Sequence, residues 1–215
     1  MAPPPLTLLL LGATGAVGQA ALAQALADAR IGLVVAPTRR PLPPHPKLHN
    51  PITHFQPVPR DADWLRCDAV VCALGSTIRQ AGSQVAFAAV DRDLPIAIGA
   101  VARQAGARSF ALNSSLGASL KGNFYLRTKA EAEVGLAAQG WPSLTCVRPS
   151  LIDAHRQPPR PAERLGLWAM RALGPLLPAR LRPVSPEAIA RCLLTAAIEA
   201  PPGCHNVESD RILLS

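Results

Sequence analysis

Short apolar runs alternate with stretches of helical periodicity along most of the chain. Consecutive positions within these runs are apolar, without the polar alternation of a strand that has one face in water. Such runs are typical of strands that are buried on both faces of a parallel sheet. The predicted strands cover residues 6–11, 32–36, 68–74, 107–113 and 143–147, with shorter strands near 52–55 and 205–214.

Helical patterns separate most of the predicted strands. Ser185 is a suitable N-cap for the last long helix, and a proline occupies that helix's first position. The alternation of strands and helices predicts an α/β fold, with a mostly parallel sheet that carries helices on both faces. The predicted helices cover residues 19–29, 84–105 and 186–199, a helix from 125 to about 139, and a stretch around 163–173.

Length and organisation indicate one domain. A chain of 215 residues can bury a full core, and 49% hydrophobic with 17% charged residues is a globular composition. Neither a repeat nor a linker divides the chain. We therefore expect residues 1–215 to form a single domain, in which residues 150–215 build a small C-terminal extension on the substrate side.

Three glycines follow the first strand at three-residue steps. Gly12 allows the chain to turn off the strand, Gly15 allows backbone N–H groups to approach a pyrophosphate, and Gly18 allows the helix to pack closely. A phosphate would lie at the positive end of that helix. An ordinary glycine-rich turn is the alternative. The predicted nucleotide-binding residues are Gly12, Ala13, Thr14, Gly15, Ala16, Val17 and Gly18.

The end of the second strand bears on the choice of dinucleotide. An acidic residue there would accept hydrogen bonds from the adenosine ribose, but this strand leads into Arg39 and Arg40 instead. Two guanidinium groups can donate paired hydrogen bonds to a 2′-phosphate, so the sequence favours NADP(H) over NAD(H). Two surface arginines in a loop are the alternative.

Further candidates lie after other strands, because ligands of open α/β sheets bind at the carboxyl ends of the strands. Gly75 follows the strand at 68–74, where small residues would let the backbone approach a cofactor. Ser114 and Ser115 follow the strand at 107–113, where a substrate would lie. The residues expected at the cofactor from these strand ends are Ala73, Leu74, Gly75, Ser114, Arg148 and Pro149.

Tyr125 and Lys129 are four residues apart at the start of a predicted helix, so they lie on one helical face. A nearby ammonium favours the phenolate form of a tyrosine, which can then exchange a proton with a carbinol oxygen during hydride transfer. Tyr125 is the only tyrosine of the chain. The Y-x-x-x-K spacing is common on amphipathic helices, and the preceding Ser-Ser strand end strengthens the catalytic interpretation.

Charge and cysteine content narrow the function classes. A net charge of +8 could attract nucleic acid, but the arginines are scattered and aromatic residues make up only 4%, so we expect no nucleic-acid partner. The five cysteines contain no C-x-x-C pair, which argues against metal or disulfide roles.

The apolar runs are too short to span a membrane, and the first residues lack the basic region of a signal peptide. We therefore expect a cytoplasmic protein without membrane contact.

A series of motifs carries a family resemblance. The segments G-A-T-G-A-V-G, T-R-R, C-A-L-G-S-T, V-D-R-D-L-P, F-A-L-N-S-S-L-G-A-S, N-F-Y-L-R-T-K-A-E-A-E and V-R-P-S resemble the atypical short-chain dehydrogenase/reductases. More narrowly, the chain is similar to bacterial NAD(P)-binding oxidoreductases related to the HIV-Tat-interacting protein. The likeness spans roughly residues 6–150.

The resemblance implies a Rossmann-like, doubly wound sheet that binds NADP(H). It implies Tyr125 and Lys129 as the catalytic pair, with Lys129 also holding the nicotinamide ribose, and Ser115 or less favourably Ser114 orienting the substrate carbonyl. Ser115 precedes Tyr125 by a shorter gap than is usual in such reductases. The sequence favours an NADPH-dependent reductase of a small carbonyl compound. A non-catalytic NADP(H)-binding redox sensor or interaction module is the alternative, and a homodimer is a weak expectation.

Overall fold

Seven parallel strands form one sheet in the computed structural model, which describes residues 4–55, 62–152 and 178–214. The strands are β1 (Leu6–Leu11), β2 (Ile31–Val35), β3 (Leu48–His49), β4 (Ala69–Cys72), β5 (Ser109–Asn113), β6 (Ser143–Arg148) and β7 (Gly203–Glu208). Their order across the sheet is β3-β2-β1-β4-β5-β6-β7. This order is that of a doubly wound Rossmann-like sheet, and it confirms the predicted fold class.

Helices cross over between the strands. They are α1 (Ala16–Ala27), α2 (Ile78–Ala81), α3 (Gln84–Ala88), α4 (Leu94–Gln104), α5 (Phe124–Ala137), α6 (Pro186–Glu199) and α7 (Ser209–Ile212). A π-helical turn at Ala89–Asp93 joins α3 to α4, and 3-10 turns lie at Asp63–Leu65 and Ala179–Leu181. The predicted helical stretch at 163–173 lies outside the described residues.

The unbroken apolar run of β1 is explained by two hydrophobic cores, one on each face of the sheet. Leu8 and Leu10 pack into the core that contains α1 and α6. Leu9 and Leu11 pack into the opposite core, which contains α4 and α5. All four side chains are fully buried, so helices cover both faces of the central strand.

The strand predicted near 52–55 forms earlier in the chain. The pairs Val34↔Leu48 and Val35↔His49 join β3 to β2, and Ile52 makes only an isolated bridge to Thr38. The ladder is interrupted at Pro51, which has no N–H to donate, and the Ala36 carbonyl oxygen instead accepts from the side-chain amide of Asn50 at 2.5 Å. The terminal strand likewise ends early, at Glu208, where α7 begins.

The turn from β1 into α1 is packed so closely that two of its glycines are required by the protein itself. Gly12 has a φ of +83°, and a Cβ there would lie 2.8 Å from the backbone of Ala73. A Cβ at Gly18 would lie 1.9 Å from the Gly12 carbonyl oxygen. At Gly15 the nearest atom, the same oxygen, would be 3.5 Å from a Cβ, which is ordinary contact. Folding alone therefore does not require glycine at position 15.

We predict that Gly18→Ala lowers the free energy of unfolding by about 2–4 kcal/mol, because its methyl group collides with backbone that cannot move aside. Gly15→Ala is the matched control, and its effect should stay within about 1 kcal/mol. Urea denaturation of the two variants measures the difference. Equal stability of both would contradict this interpretation of the turn.

Candidate active site

The glycine loop presents its backbone at the edge of the sheet. Thr14, Gly15 and Ala16 are exposed, whereas the side chains of Ala13 and Val17 are buried in the core. Gly15 is the N-cap of α1, and no acidic side chain occupies the first helical turn. The positive end of α1 therefore faces the surface with small residues only, which is the arrangement that accepts an anion.

Arg39 and Arg40 lie in the segment that follows β2, the strand beside β1. Both are exposed, and within the described residues neither forms an ion pair. The segment itself is held in place: Thr38 Oγ1 donates to the Arg40 carbonyl oxygen at 2.6 Å and accepts from Asn50 Nδ2 at 2.8 Å. These hydrogen bonds of Thr38 therefore fix the segment from which the two guanidinium groups extend.

The carboxyl end of β4 connects the glycine loop to Lys129. Gly12 contacts the backbone of Ala73 and Leu74, and a Cβ placed at Gly75 would lie 3.8 Å from Lys129 Nζ. The predicted strand end 73–75 and the predicted lysine therefore lie next to one another. Gly75 itself is exposed, whereas the Lys129 side chain beside it is only 5% exposed.

A buried carboxylate, Asp91, pairs with Lys129. Asp91 Oδ1 lies 2.7 Å from Lys129 Nζ, and the two side chains are 0% and 5% exposed. Asp91 Oδ2 accepts hydrogen bonds from both the backbone N–H and the hydroxyl of Ser76, each at 3.0 Å. Sequence reasoning missed this residue, although it belongs to the V-D-R-D-L-P motif. It lies on the π-helical turn, and such turns are frequent at functional sites.

The Lys129 ammonium is stabilised in its charged form. Burial acts against the charge, but the Asp91 carboxylate and, less strongly, Tyr125 and Cys72 raise the pKa of Lys129 above its ordinary value. The nearby Cys72 behaves differently, because burial raises the pKa of its thiol to about 12. Cys72 is therefore protonated at neutral pH and is not a nucleophile.

Tyr125 lies in the first turn of α5, one turn before Lys129. Asn123 caps the helix, accepting a hydrogen bond from the Leu126 N–H at 3.0 Å. The Tyr125 ring packs against the fully buried Phe87 with 5.5 Å between ring centroids. The ring is only partly buried, so α5 and Phe87 fix its position while part of it remains open to solvent.

The two serines after β5 have different surroundings. Ser114 is buried, and its hydroxyl donates to Glu133 Oε1 at 2.5 Å. Ser115 is half-buried, and its hydroxyl makes only a long contact of 3.4 Å with the Leu116 carbonyl oxygen. The Ser114 hydroxyl is thus engaged in a hydrogen bond inside the protein, whereas the hydroxyl of Ser115 is available to a ligand.

Arg148 is also held inside the protein. Its guanidinium binds Glu133 with two hydrogen bonds of 2.9 and 2.5 Å and reaches Glu208 at 3.1 Å. These carboxylates raise the pKa of Arg148 further above its already high value. Next to it, the Pro149 carbonyl oxygen accepts from the Leu116 N–H at 2.8 Å. Arg148 and Pro149, both predicted at the cofactor, therefore tie β6 to α5 and to the loop after β5.

Comparison with solved structures defines the class of fold. MoeE5 in complex with UDP-glucuronic acid and NAD superposes with a TM-score of 0.70 and 20% identity, over 94% of this chain and 76% of that one. An oxidoreductase of the short-chain dehydrogenase/reductase family from Burkholderia thailandensis superposes with a TM-score of 0.67 and 19% identity, over 99% and 94%. The fold is that of the short-chain dehydrogenase/reductases.

Sequence relatives identify the family more closely. Protein FMP52, mitochondrial, of Chaetomium globosum is 32% identical over 77% of this chain and 74% of its own length. Protein HTATIP2 of Rattus norvegicus is 30% identical over 74% and 68%. The chain belongs to the family of these two proteins. Fmp52 of Emericella nidulans is 40% identical, but over only 48% of this chain and 45% of that relative. No family model matches the chain.

Two expectations are corrected by these relatives. The family resemblance is confirmed, but its bacterial branch is not supported, because the curated relatives are fungal and mammalian. The cytoplasmic assignment is wrong, because the fungal relatives are named mitochondrial. That assignment came from composition and from apolar runs that form strands. Such features describe a folded domain and do not specify a compartment.

The part of the chain that the structure describes contains neither a metal-binding cluster nor a membrane-spanning helix. Among residues 4–55, 62–152 and 178–214, no three or more His, Cys, Asp or Glu side chains are grouped to hold a metal ion. No helix of that part of the chain has the length and apolar character needed to cross a membrane.

We predict that Glu133→Gln lowers the free energy of unfolding by about 2–4 kcal/mol, because it leaves the partly buried Arg148 without its main counter-charge. Glu131→Gln is the matched control on the same helix. Its ion pair with Arg92 is about one-third exposed on both sides, so its loss should cost less than about 1 kcal/mol. Thermal and urea denaturation measure both variants. A stability loss at Glu131 as large as that at Glu133 would contradict the assignment.

Proposed function

We propose that the protein is an NADP(H)-dependent reductase of small carbonyl compounds. One observation carries the proposal. Gly12 contacts the end of β4, and Gly75, which follows that strand, lies beside Lys129. The glycine loop and the Tyr125–Lys129 pair therefore lie at the same end of β4. A phosphate-binding turn and a proton-transfer pair at one edge of a parallel sheet are what nicotinamide chemistry requires.

The chain's residues fit a dinucleotide. Gly15 is a glycine that internal packing does not require, and the exposed Gly75 lies beside the Lys129 ammonium. Solved structures of similar fold contain bound NAD, which supports a nicotinamide cofactor. The preference for NADP(H) rests on Arg39 and Arg40, which are exposed beyond the end of β2 where an acidic residue would favour NAD(H).

The proposed reaction converts a carbonyl to an alcohol. When bound, the reduced nicotinamide would supply the hydride that adds to the carbonyl carbon. Tyr125 gives its hydroxyl proton to the carbonyl oxygen, so that the alcohol leaves neutral and a phenolate remains. The charged Lys129 stabilises that phenolate, and it would donate a hydrogen bond to the ribose of a bound cofactor. Ser115, whose hydroxyl is available, donates a hydrogen bond to the carbonyl oxygen.

Arg39→Ala and Arg40→Ala test the cofactor preference. Each should weaken NADPH binding by about tenfold or more and leave NADH binding nearly unchanged, because a charged hydrogen bond to the 2′-phosphate contributes about 1.5–3 kcal/mol. Titration calorimetry with both cofactors provides the measurement. Arg103→Ala is the control. Arg103 lies at the C-terminal end of α4, where its side chain donates a hydrogen bond to the Gly140 carbonyl oxygen. Equal loss of NADPH and NADH binding would refute the 2′-phosphate assignment.

Tyr125→Phe tests catalysis. We expect NADPH binding to stay within about threefold of the native protein, and turnover of a panel of small aldehydes and ketones to fall by about 10²-fold or more. NADPH oxidation followed by absorbance, together with calorimetry, gives the two values. If the native protein binds NADPH but oxidises it with no member of the panel, the alternative of a non-catalytic NADP(H)-binding sensor is favoured.

A further inference from the structure

We infer that Asp91 is a positioning residue of the cofactor site, which keeps Lys129 charged and fixed over Gly75. This inference rests on the proposed function, because the role of Lys129 toward a ribose is part of that proposal. It adds a third member to the Tyr125–Lys129 pair, from an element that is distant in the sequence.

Both oxygens of the Asp91 carboxylate lie beside a partner. Oδ1 lies 2.7 Å from Lys129 Nζ in a buried ion pair, and Oδ2 accepts two hydrogen bonds from Ser76. Ser76 directly follows Gly75, where a Cβ would lie 3.8 Å from both Asp91 Oδ1 and Lys129 Nζ. Asp91 therefore joins the π-helical turn, the loop after β4 and helix α5 at one point, and it holds the lysine beside Gly75.

Charge explains why the position carries an acid. A buried ammonium without a counter-charge loses its proton, because desolvation disfavours the charged form. The titratable groups that act on Lys129 are Asp91 from the π-helical turn, Tyr125 from its own helix and Cys72 from the end of β4. Cys72 is protonated at neutral pH, and Tyr125 must carry a proton to act as an acid. Asp91 is therefore the anion that holds the charge on Lys129 before Tyr125 gives up its proton.

The surroundings of the Lys129 ammonium complete the assignment. An ammonium group has three N–H donors. Among the described residues Asp91 is the only ion-pair partner of Lys129, and the exposed Gly75 lies beside the ammonium, since a Cβ there would be 3.8 Å from Nζ. A buried ion pair is in general weak evidence for stability. The position of the pair beside the proposed cofactor site thus favours a functional role.

Lysine NMR tests the inference directly. The chain contains only Lys47, Lys121 and Lys129, so lysine labelled with ¹³C at Cε yields three signals, and Lys129→Met assigns the third. We expect Asp91→Asn to lower the titration midpoint of Lys129 by at least about one pH unit, to below the ordinary lysine value of about 10.4. Asp93→Asn is the matched control on the same π-helical turn, since Asp93 is exposed and pairs with Arg92. An unchanged Lys129 midpoint in Asp91→Asn would overturn the inference.

Cofactor binding supplies the second readout. Calorimetric NADPH affinity of Asp91→Asn should fall by about tenfold or more as pH rises through the lowered Lys129 midpoint, because the neutral amine loses its charged hydrogen bonds. The native protein and Asp93→Asn should show no such fall over that range. If Lys129 titrates earlier but NADPH affinity shows no corresponding loss, the positioning role is overturned. If the native protein binds no NADPH, the proposed function fails, while the lysine titration still reports on the ion pair.

A double variant covers the case in which Asp91→Asn fails to fold. Asp91→Asn combined with Lys129→Met removes both charges and leaves no unpaired ammonium. The inference requires the double variant to be more stable than Asp91→Asn alone. A double variant that is no more stable would show that Asp91 serves packing and not the charge of Lys129.

Discussion

Parallel pairing requires a crossover between each pair of neighbouring strands, so the carboxyl ends of all strands lie at one edge of the sheet. In this chain the constraint brings together the glycine turn after β1, the small residues after β4 and the serines after β5. Gly12 is in contact with Ala73 at the end of β4, and Gly75, which follows in the same segment, lies beside Lys129. The candidate site depends on this common edge, since its residues come from segments that are far apart in the sequence.

Buried charges then set the rotation of helix α5. Tyr125, Lys129 and Glu133 follow one another at four-residue steps and therefore share one helical face. Lys129 pairs with Asp91, and Glu133 pairs with Arg148 at the end of β6. Two oppositely charged side chains on a buried face cost free energy unless both are matched, so only one rotation of α5 satisfies both pairs. That rotation places Tyr125 against Phe87, with part of its ring still open to solvent.

The sequence predicted the parallel sheet, apart from the place of β3 and the bounds of β7, and it predicted the turn after β1. Unbroken apolar runs predict strands covered on both faces, and glycine spacing predicts the turn, because both are local properties of the chain. The partners Asp91 and Glu133 were missed, since each acts through a residue on a different element and neither pairing has a local signal. The same reason explains Ser114 and Arg148: their residue types suit a ligand, but Glu133 binds both inside the protein. Subcellular location has no counterpart in the folding pattern at all.

Two kinds of positive charge lie at this edge of the sheet. The Lys129 ammonium is paired with a carboxylate, whereas the Arg39 and Arg40 guanidinium groups are not, within the described residues. Lys129 is neutralised by Asp91 within the protein, so its charge can act on a hydroxyl at short range without strongly attracting anions from solvent. Arg39 and Arg40 lie across β1 from that pair and form no ion pair within the described residues. Their exposed charge is the kind that attracts and recognises a phosphate. If the protein binds NADP(H) as proposed, selection of the cofactor and proton transfer therefore depend on different residues. Changes at the arginines should alter which cofactor binds without disturbing the chemistry at Tyr125.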